Sequence, residues 1–271
     1  MSVLLGVAHG SRDDGAQAVV RDLLDLAAGQ RPGLRVAAAY LDNASPSIRA
    51  ALAVLAQESD VTVVPLLLGA ASHSKTDLAA SVQAGRLAHP DLALRYGRPL
   101  GPHPVLVEVL ARRLEQAGAS GLPVLLVAGG SSDPDANASV AATARLLWEG
   151  RDFPFVDVAF ASATGPSVEQ ALGRLKAQGC TRVALSRYFL GPGFLPRQVV
   201  AEASTVEGLE LVVAEPLGAS DELAALVLER YDEARAGEVR MNCDACLHRI
   251  ALPGREASVG APQVPHTHPD D

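Results

Sequence analysis

The sequence predicts an α/β fold built from two similar, doubly wound parallel-sheet lobes with a cleft between them. Three observations support this prediction. Short apolar runs rich in Val and Leu alternate with longer segments of helical periodicity, which is the pattern of parallel strands joined by crossover helices. The chain also repeats itself internally at a nearly constant spacing. Its 271 residues are 48% hydrophobic but only 4% aromatic, a composition typical of an α/β protein.

Seven apolar runs are predicted to be buried parallel strands, because their near-continuous Val and Leu content leaves no polar face. They cover residues 3–8, 35–40, 61–68, 124–128, 155–159, 182–188 and 209–214. The segments between them are long enough for crossover helices, which pack on the faces of such a sheet. The predicted helices cover residues 16–28, 46–57, 104–117, 136–148, 168–178 and 221–235.

The internal repeat relates the first half of the chain to the second at an offset of 129 − 9 = 120 residues. Three pairs of segments coincide: 3–13 with 124–133, 40–47 with 160–167, and, after a two-residue insertion, the segment ending at Gly69 with the one ending at Gly191. Three landmarks in register indicate a duplicated structural unit.

This duplication predicts the domain organisation. We expect an N-terminal lobe over residues 1–118 and a C-terminal lobe over residues 119–237. Residues 238–271 break the pattern, since they place four prolines among small and polar residues. Such a composition predicts an extended tail.

Charge and cysteine content exclude several classes of partner. The net charge of −8 argues against nucleic acid, whose binding requires a basic face that releases counterions. No run approaches the roughly 18 apolar residues of a membrane span, and the apolar N-terminus lacks the basic residues of a secretory signal. Cys180, Cys243 and Cys246 cannot all be paired, which favours a reducing compartment. We therefore expect a cytoplasmic protein.

Two histidines follow strands of the first half. His9 ends the first predicted strand, and His73 follows the third. Because the carboxyl ends of parallel strands meet at one edge of a sheet, both imidazoles are expected there, where ligands bind in open α/β sheets. Two neutral imidazoles form an open site for a divalent metal ion. Alternatively, His9 is a core or capping residue and His73 a surface loop residue.

Two carboxylates accompany these histidines. Asp42 follows the second strand, so its side chain is expected at the same edge. It would complete the metal site or accept a proton, or else serve as a turn or cap before Pro46. Asp77 comes four residues after His73. It would orient that imidazole or act as an ordinary acid in the first turn of a helix.

Two loops at equivalent positions of the repeat are candidates for binding anionic groups of a substrate. Ser11 and Arg12 open the first helix, and Ser131 and Ser132 occupy the matching place in the second half. Backbone amides at a helix start, together with hydroxyl and guanidinium groups, attract carboxylates. The alternative for each loop is ordinary strand-to-helix turn chemistry.

Four motifs together resemble the sirohydrochlorin chelatase family, which belongs to the class II tetrapyrrole chelatases. They are Ala-His-Gly-Ser-Arg at 8–12, Tyr-Leu-Asp-Asn-Ala-Ser-Pro-Ser at 40–47, Leu-Gly-Ala-Ala-Ser-His-Ser-Lys-Thr-Asp at 68–77 and Arg-Pro-Leu-Gly-Pro-His-Pro at 98–104. The resemblance covers residues 1–235 and implies a chelatase-like bilobal fold with its active site in the cleft. Single-lobe members act as dimers, so this chain is expected to be a monomer or a homodimer.

The resemblance also implies an activity, namely insertion of Fe²⁺ or Co²⁺ into sirohydrochlorin during siroheme or cobalamin biosynthesis. It implies that His9 and His73 bind the incoming metal and that Asp42 assists catalysis. The family more often has Glu at that place, so the shorter Asp42 side chain reaches less far. A non-catalytic tetrapyrrole or metal carrier on the same scaffold is the alternative. A hydrolase with Ser11 as nucleophile is excluded, since Gly-x-Ser-x-Gly is absent.

A second metal-binding motif lies in the tail. Met-Asn-Cys-Asp-Ala-Cys at 241–246 resembles the MxCxxC motif of longer family members, where an iron–sulfur cluster has been proposed. A cluster generally needs four ligands, so Cys243 and Cys246 would need further donors. Zinc held by these cysteines and His248 is equally consistent with the spacing. The remaining alternative is a reduced cysteine pair without metal.

Overall fold

The computed structural model describes residues 2–71 and 73–239, and it contains two four-stranded parallel sheets. Both sheets have the same topology, in which the first strand of the lobe lies between the second and the third. The first sheet has the order β2-β1-β3-β4, with β1 (Ser2–Ala8), β2 (Arg35–Tyr40), β3 (Asp60–Pro65) and β4 (Ala93–Tyr96). The second has the order β6-β5-β7-β8, with β5 (Val124–Ala128), β6 (Val156–Phe160), β7 (Arg182–Arg187) and β8 (Glu210–Val213).

Helices alternate with these strands along the chain. They are α1 (Asp14–Gln30), α2 (Ile48–Leu55), α3 (Leu78–Ala88), α4 (Pro104–Gln116), α5 (Pro134–Glu149), α6 (Val168–Ala177), α7 (Phe194–Ala203) and α8 (Asp221–Ala236). A π-helical turn, His73–Asp77, precedes α3. Across residues 2–71 and 73–239, none of the helices combines the length and the apolar content that crossing a membrane requires.

The structure confirms the predicted α/β class, the seven strands and the six helices, with bounds that shift by a few residues. Three further elements escaped the sequence analysis: β4, α3 and α7. Strand β4 is only four residues long, with Leu94 as its one buried residue, so it lacks the apolar run that marks the other strands. Helix α7 starts inside a Pro- and Gly-rich segment and has no side-chain cap. The predicted third strand was too long, because the chain leaves the sheet at Pro65.

The repeat extends to the hydrogen bonds that begin the helices. Asp13 caps α1 by accepting from the amide of Gly15 at 2.9 Å, and Asp133 caps α5 by accepting from the amide of Asp135 at 3.1 Å. Ser47 and Ser167 cap α2 and α6 in the same way. Side-chain oxygens at these positions satisfy amides that have no partner within the helix. The same local chemistry therefore starts corresponding helices in both lobes.

The lobes exchange one helix each. Helix α8 packs against α1, β3 and β4 of the first sheet, whereas α4 packs against α5 and β7 of the second. Arg230 of α8 is fully buried and donates to the carbonyl oxygens of Pro99 and Leu100 at 3.0 and 3.1 Å. The α8 carboxylates of Glu229 and Glu233 lie within ion-pair distance of this guanidinium, which offsets the cost of burying the charge. Each packing unit thus includes one helix from the other half of the sequence.

A close backbone approach joins the first two loops of each lobe. Gly10 has φ of 99°, and a Cβ atom at this position would lie 1.6 Å from the carbonyl oxygen of Asp42. Its repeat partner Gly130 has φ of 84°, with a Cβ position 2.0 Å from the carbonyl oxygen of Ser162. Only glycine fits such a conformation and such a contact. The loops that carry His9 and Asp42 are therefore held together by backbone geometry.

We expect Gly10→Ala to lower the free energy of unfolding by roughly 1–3 kcal/mol, because the new methyl group clashes and the left-handed conformation is strained. Urea unfolding followed by circular dichroism measures this change. Gly29→Ala is the matched control, since Gly29 lies in α1 with nothing within 4 Å of its Cβ position. It should stabilise by about 0.4–1 kcal/mol. Equal unfolding midpoints for the two variants would contradict the role assigned to Gly10.

Candidate active site

A cleft of about 1560 Å³ lies between the two lobes. Its walls are formed by the loops that follow β1, β2 and β3 of the first sheet and β5, β6 and β7 of the second. This position, at the carboxyl ends of parallel strands, is where open α/β sheets bind ligands. The volume exceeds the roughly 300–1,000 Å³ of sites for drug-sized molecules. The cleft can therefore accept a ligand as large as a macrocycle.

The structure brings His9 and His73 together in this cleft. Their Nε2 atoms lie 3.2 Å apart, and their ring centroids lie 4.6 Å apart with an interplanar angle of 86°. With metal–nitrogen distances of about 2.0–2.1 Å, this spacing corresponds to a nitrogen–metal–nitrogen angle of about 100°. Both imidazoles can thus bind one divalent cation and leave its other coordination positions open to the cleft.

Backbone hydrogen bonds position His9. The residue comes directly after β1, and its carbonyl oxygen accepts from the amide of Asp42 at 2.8 Å. The preceding carbonyl, of Ala8, accepts from the amide of Leu41 at 3.0 Å. These bonds continue the pairing of β1 with β2 by two residues. The backbone of His9 is therefore held by an extension of the sheet.

The π-helical turn positions His73. Its Nδ1 lies 2.9 Å from Oδ2 of Asp77, whose side chain is only 6% exposed. A carboxylate at this distance favours the tautomer with the proton on Nδ1, so that Nε2 presents its lone pair to a cation. Tyr96 of β4 donates from its hydroxyl to the carbonyl oxygen of Ser74 at 2.5 Å, which ties the turn to the sheet. Single π-helical turns of this kind are frequent at functional sites.

Asp42 lies at the expected edge of the sheet, but its carboxylate is engaged locally. Oδ1 accepts from the amide of Asn43 at 2.7 Å, and Asn43 lines the cleft whereas Asp42 does not. Within residues 2–71 and 73–239, no three His, Cys, Asp or Glu side chains lie close enough together to hold one metal ion. The structure thus brings the two imidazoles together without a third protein ligand from this part of the chain.

The serine loops of both lobes line the cleft, as do Arg12 and Ser132. Ser11 accepts from the amide of Asp13 at 3.1 Å, and Ser131 accepts from the amide of Asp133 at 3.0 Å. Because Asp13 and Asp133 cap the helices, the protein's own carboxylates occupy the helix starts. Each carboxylate accepts from one amide of its helix start, and binding of substrate anions by these loops stays a prediction. Hydroxyl and guanidinium groups remain on the cleft wall.

The C-terminal lobe has no imidazoles at the equivalent positions. Gly129 and Leu195 are the repeat partners of His9 and His73, and both line the cleft. A Cβ atom on Gly129 would lie 3.8 Å from Cδ1 of Leu195, so the two positions meet here as the histidines do in the other lobe. The centre of the cleft consequently has two imidazoles on one wall and a glycine and a leucine at the equivalent places on the other.

Two aromatic residues of the C-terminal lobe also line the cleft. Tyr188 is buried and donates from its hydroxyl to the carbonyl oxygen of Leu68 at 3.2 Å, across the lobes. Burial raises the pKa of this hydroxyl above its usual value. Phe194 lines the cleft with 72% of its surface exposed. An exposed phenyl ring in a cleft is a signal for stacking on a flat ligand.

The predicted accessory metal motif cannot be placed in the fold. Cys243, Cys246 and His248 lie outside the residues that the structure describes. Cys180 lies within them and packs against the core between the second sheet and its helices, consistent with a small apolar role.

Comparisons with known proteins match the chain over both lobes. The family profile described as CbiX matches residues 3–117 and 123–234. Sirohydrochlorin cobaltochelatase of Priestia megaterium is 29% identical over 93% of this chain and 86% of its own length. Sirohydrochlorin ferrochelatase of the same organism is 27% identical over 84% of this chain and 88% of its own. The solved structure of SirB from Bacillus subtilis with Fe³⁺ is 24% identical, with a TM-score of 0.76 over 87% of this chain and 96% of its own.

Asp77→Asn should raise the dissociation constant for Co²⁺ by roughly 10–100-fold, as expected when the partner of a metal-binding imidazole is lost. The reason is that the amide no longer favours the required tautomer of His73. Titration of the protein with Co²⁺, followed by calorimetry, measures the change. Asp91→Asn removes an exposed carboxylate outside the cleft and is the control. A wild-type constant in Asp77→Asn would show that His73 does not depend on this partner.

Proposed function

The chain belongs to the CbiX family, and we propose on that basis that it is a sirohydrochlorin chelatase, a lyase-type enzyme that inserts Fe²⁺ or Co²⁺ into sirohydrochlorin in siroheme or cobalamin biosynthesis. The observation that carries this proposal is the pair of imidazole nitrogens 3.2 Å apart in a cleft of macrocycle size. Relatives over most of the chain are named for the same reaction with cobalt and with iron. The metal ion is a substrate of this reaction.

Metal capture is assigned to the N-terminal lobe. We propose that residues 1–118 form the lobe that carries the metal site and that residues 119–237 form the lobe that completes the cleft. Nε2 of His9 and Nε2 of His73 bind the cation, and Asp77 keeps the proton of His73 on Nδ1. Two protein ligands leave the remaining positions to water, which the pyrrole nitrogens of the substrate can displace. The site therefore holds the metal without enclosing it.

Proton removal is the second part of the reaction. Insertion of a divalent cation forms bonds to the pyrrole nitrogens and releases two protons from them, so the products are the metallated macrocycle and two protons. We assign their acceptance to a histidine or to Asp42, a carboxylate at the same edge of the sheet. Asp42 is linked to the metal-binding loop through its backbone bond to His9. Its role is that of a proton acceptor rather than a metal ligand.

The carboxylate groups of the substrate require polar partners around the metal site. We assign this binding to Ser11 and Arg12 on one wall and to Ser131 and Ser132 on the other. Hydrogen bonds from a guanidinium to a carboxylate are stronger than those between neutral groups. One chain supplies both walls of the cleft, so a single chain is sufficient for the reaction, whether the protein is a monomer or a homodimer.

His9→Ala and His73→Ala should each lower kcat/KM for metal insertion by at least roughly 100-fold, since each removes one of two metal ligands. Anaerobic assays with sirohydrochlorin and either Fe²⁺ or Co²⁺, followed by absorbance of the macrocycle, measure the rates. His89→Ala is the control, because His89 ends α3 and does not line the cleft. Tight binding of both substrates without insertion by the wild type would instead identify a carrier.

For the tail we propose an accessory metal, either an iron–sulfur cluster or zinc, at Cys243 and Cys246 with His248 as a further donor. The thiolate spacing supports it, since Cys-x-x-Cys pairs bind both kinds of centre. The double variant Cys243→Ser, Cys246→Ser should lose this metal, because serine replaces both thiolates. Elemental analysis of the purified variant and wild type measures the loss. Metal content equal to that of the wild type would contradict the assignment of a metal to these cysteines.

A further inference from the structure

Two ion pairs cross the cleft, and they are counterparts in the internal repeat. Nζ of Lys75 lies 2.8 Å from Oδ2 of Asp133, and the guanidinium of Arg197 pairs with Asp13. Asp13 and Asp133 are related by the offset of 133 − 13 = 120, and Lys75 and Arg197 by 197 − 75 = 122, the value that holds after the two-residue insertion. Each lobe thus extends a cation to the carboxylate that caps the first helix of the other lobe.

The two pairs differ in burial. The Lys75 side chain is 12% exposed and that of Asp133 is fully buried, whereas Arg197 is 64% exposed. Lys75 also contacts a second carboxylate, Oδ2 of Asp135, at 3.1 Å. Exposed ion pairs contribute little to holding two elements together, while removal of one partner from a buried pair has a large effect. Of the two pairs that cross the cleft, the stronger connection is therefore the one made by Lys75.

Lys75 lies in the same π-helical turn as His73, two residues further along the chain. On the other side of His73, the carbonyl oxygen of Leu68 accepts the hydrogen bond from Tyr188 of the C-terminal lobe. The segment that presents His73 is thus fixed to the opposite lobe both before and after the imidazole. The histidine belongs to one lobe, but its backbone is held by both.

The charge balance around Lys75 suits a position near a cation site. An ammonium group close to a metal ion would repel it, whereas two neighbouring carboxylates offset that charge. Asp133 and Asp135 both belong to the C-terminal lobe. Anchoring by Lys75 therefore adds no net positive charge beside His73.

We infer that Lys75 is a positioning residue for metal capture, through which Asp133 and Asp135 of the C-terminal lobe hold His73 at bonding distance from His9. The lobe that has Gly129 and Leu195 in place of imidazoles thus still determines the geometry of the metal site. This inference rests on the proposed function, since it assigns the cation to the two histidines.

The test is a Co²⁺ titration of the full chain, in which the binding that is lost in His73→Ala defines the cleft site. Lys75→Met should raise the dissociation constant of that site by roughly tenfold, the lower end of the range for residues that orient metal ligands. The kcat for insertion should fall, whereas KM for sirohydrochlorin should stay near the wild-type value. Lys75→Arg should restore most of the affinity, because an arginine already pairs with the equivalent carboxylate at position 197.

Two comparisons separate positioning from a general connection between lobes. Arg197→Met removes the counterpart pair and should leave the Co²⁺ constant near the wild-type value. Arg112→Met removes an ion pair with Glu222 that joins α4 to α8 away from the cleft, and it should leave both affinity and insertion unchanged. An equal loss of affinity in Lys75→Met and Arg197→Met would overturn the inference, since it would show that any contact between lobes sets the site.

Further outcomes are decisive even if one variant fails to fold. Asp135→Asn keeps the pair between Lys75 and Asp133, and it should raise the Co²⁺ constant by roughly twofold or more through the lost carboxylate. If Lys75→Met is unfolded by circular dichroism, a wild-type constant in Asp135→Asn overturns the inference. A wild-type dissociation constant for Co²⁺ in folded Lys75→Met also overturns the inference, and it leaves the chelatase assignment intact. Full insertion by His9→Ala and His73→Ala would instead remove the proposed function.

Discussion

The organisation of this protein depends on the parallel pairing of β1 with β3. Their register sets Val7 opposite Pro65, so the residues that follow both strands emerge at the same edge of the sheet. His9 follows one strand directly, and His73 follows the other after a short segment, as the first residue of a π-helical turn. Two imidazoles that are 64 residues apart in sequence thereby place their Nε2 atoms 3.2 Å apart. A displacement of either strand by one residue would separate them.

The two lobes share one framework but differ in the side chains that line the cleft between them. Both lobes retain the same sheet order, helix caps and left-handed glycine at the first loop. The side chains at the centre differ, with His9 in one lobe and Gly129 in the other. The exchange of α4 and α8 between the lobes, together with the buried contact of Lys75, makes each lobe part of the other's framework.

Much of this arrangement follows from the sequence alone. The apolar runs of β1, β3 and β5 are fully or almost fully buried strands. Such runs can be recognised in a sequence because a strand that is covered on both faces has no polar side. The repeat predicted two equivalent sheets, since equal patterns of burial and turn residues fold in the same way. The positions of His9 and His73 after two strands of one sheet were sufficient to predict that the imidazoles would approach each other.

The remaining features depend on tertiary contacts that no local pattern reports. Edge strand β4 has little apolar content of its own, and α7 begins without a side-chain cap, so both owe their form to the elements they pack against. The sequence predicted that Asp42 lies at this edge of the sheet. It could not show that the carboxylate accepts a hydrogen bond from the amide of Asn43. Nor could spacing show that Asp13 and Asp133 would fill the helix starts, or that Lys75 would reach across the cleft. Periodicity determines which residues are buried, whereas the direction of a polar side chain is decided by the partners that the folded chain brings within hydrogen-bonding distance.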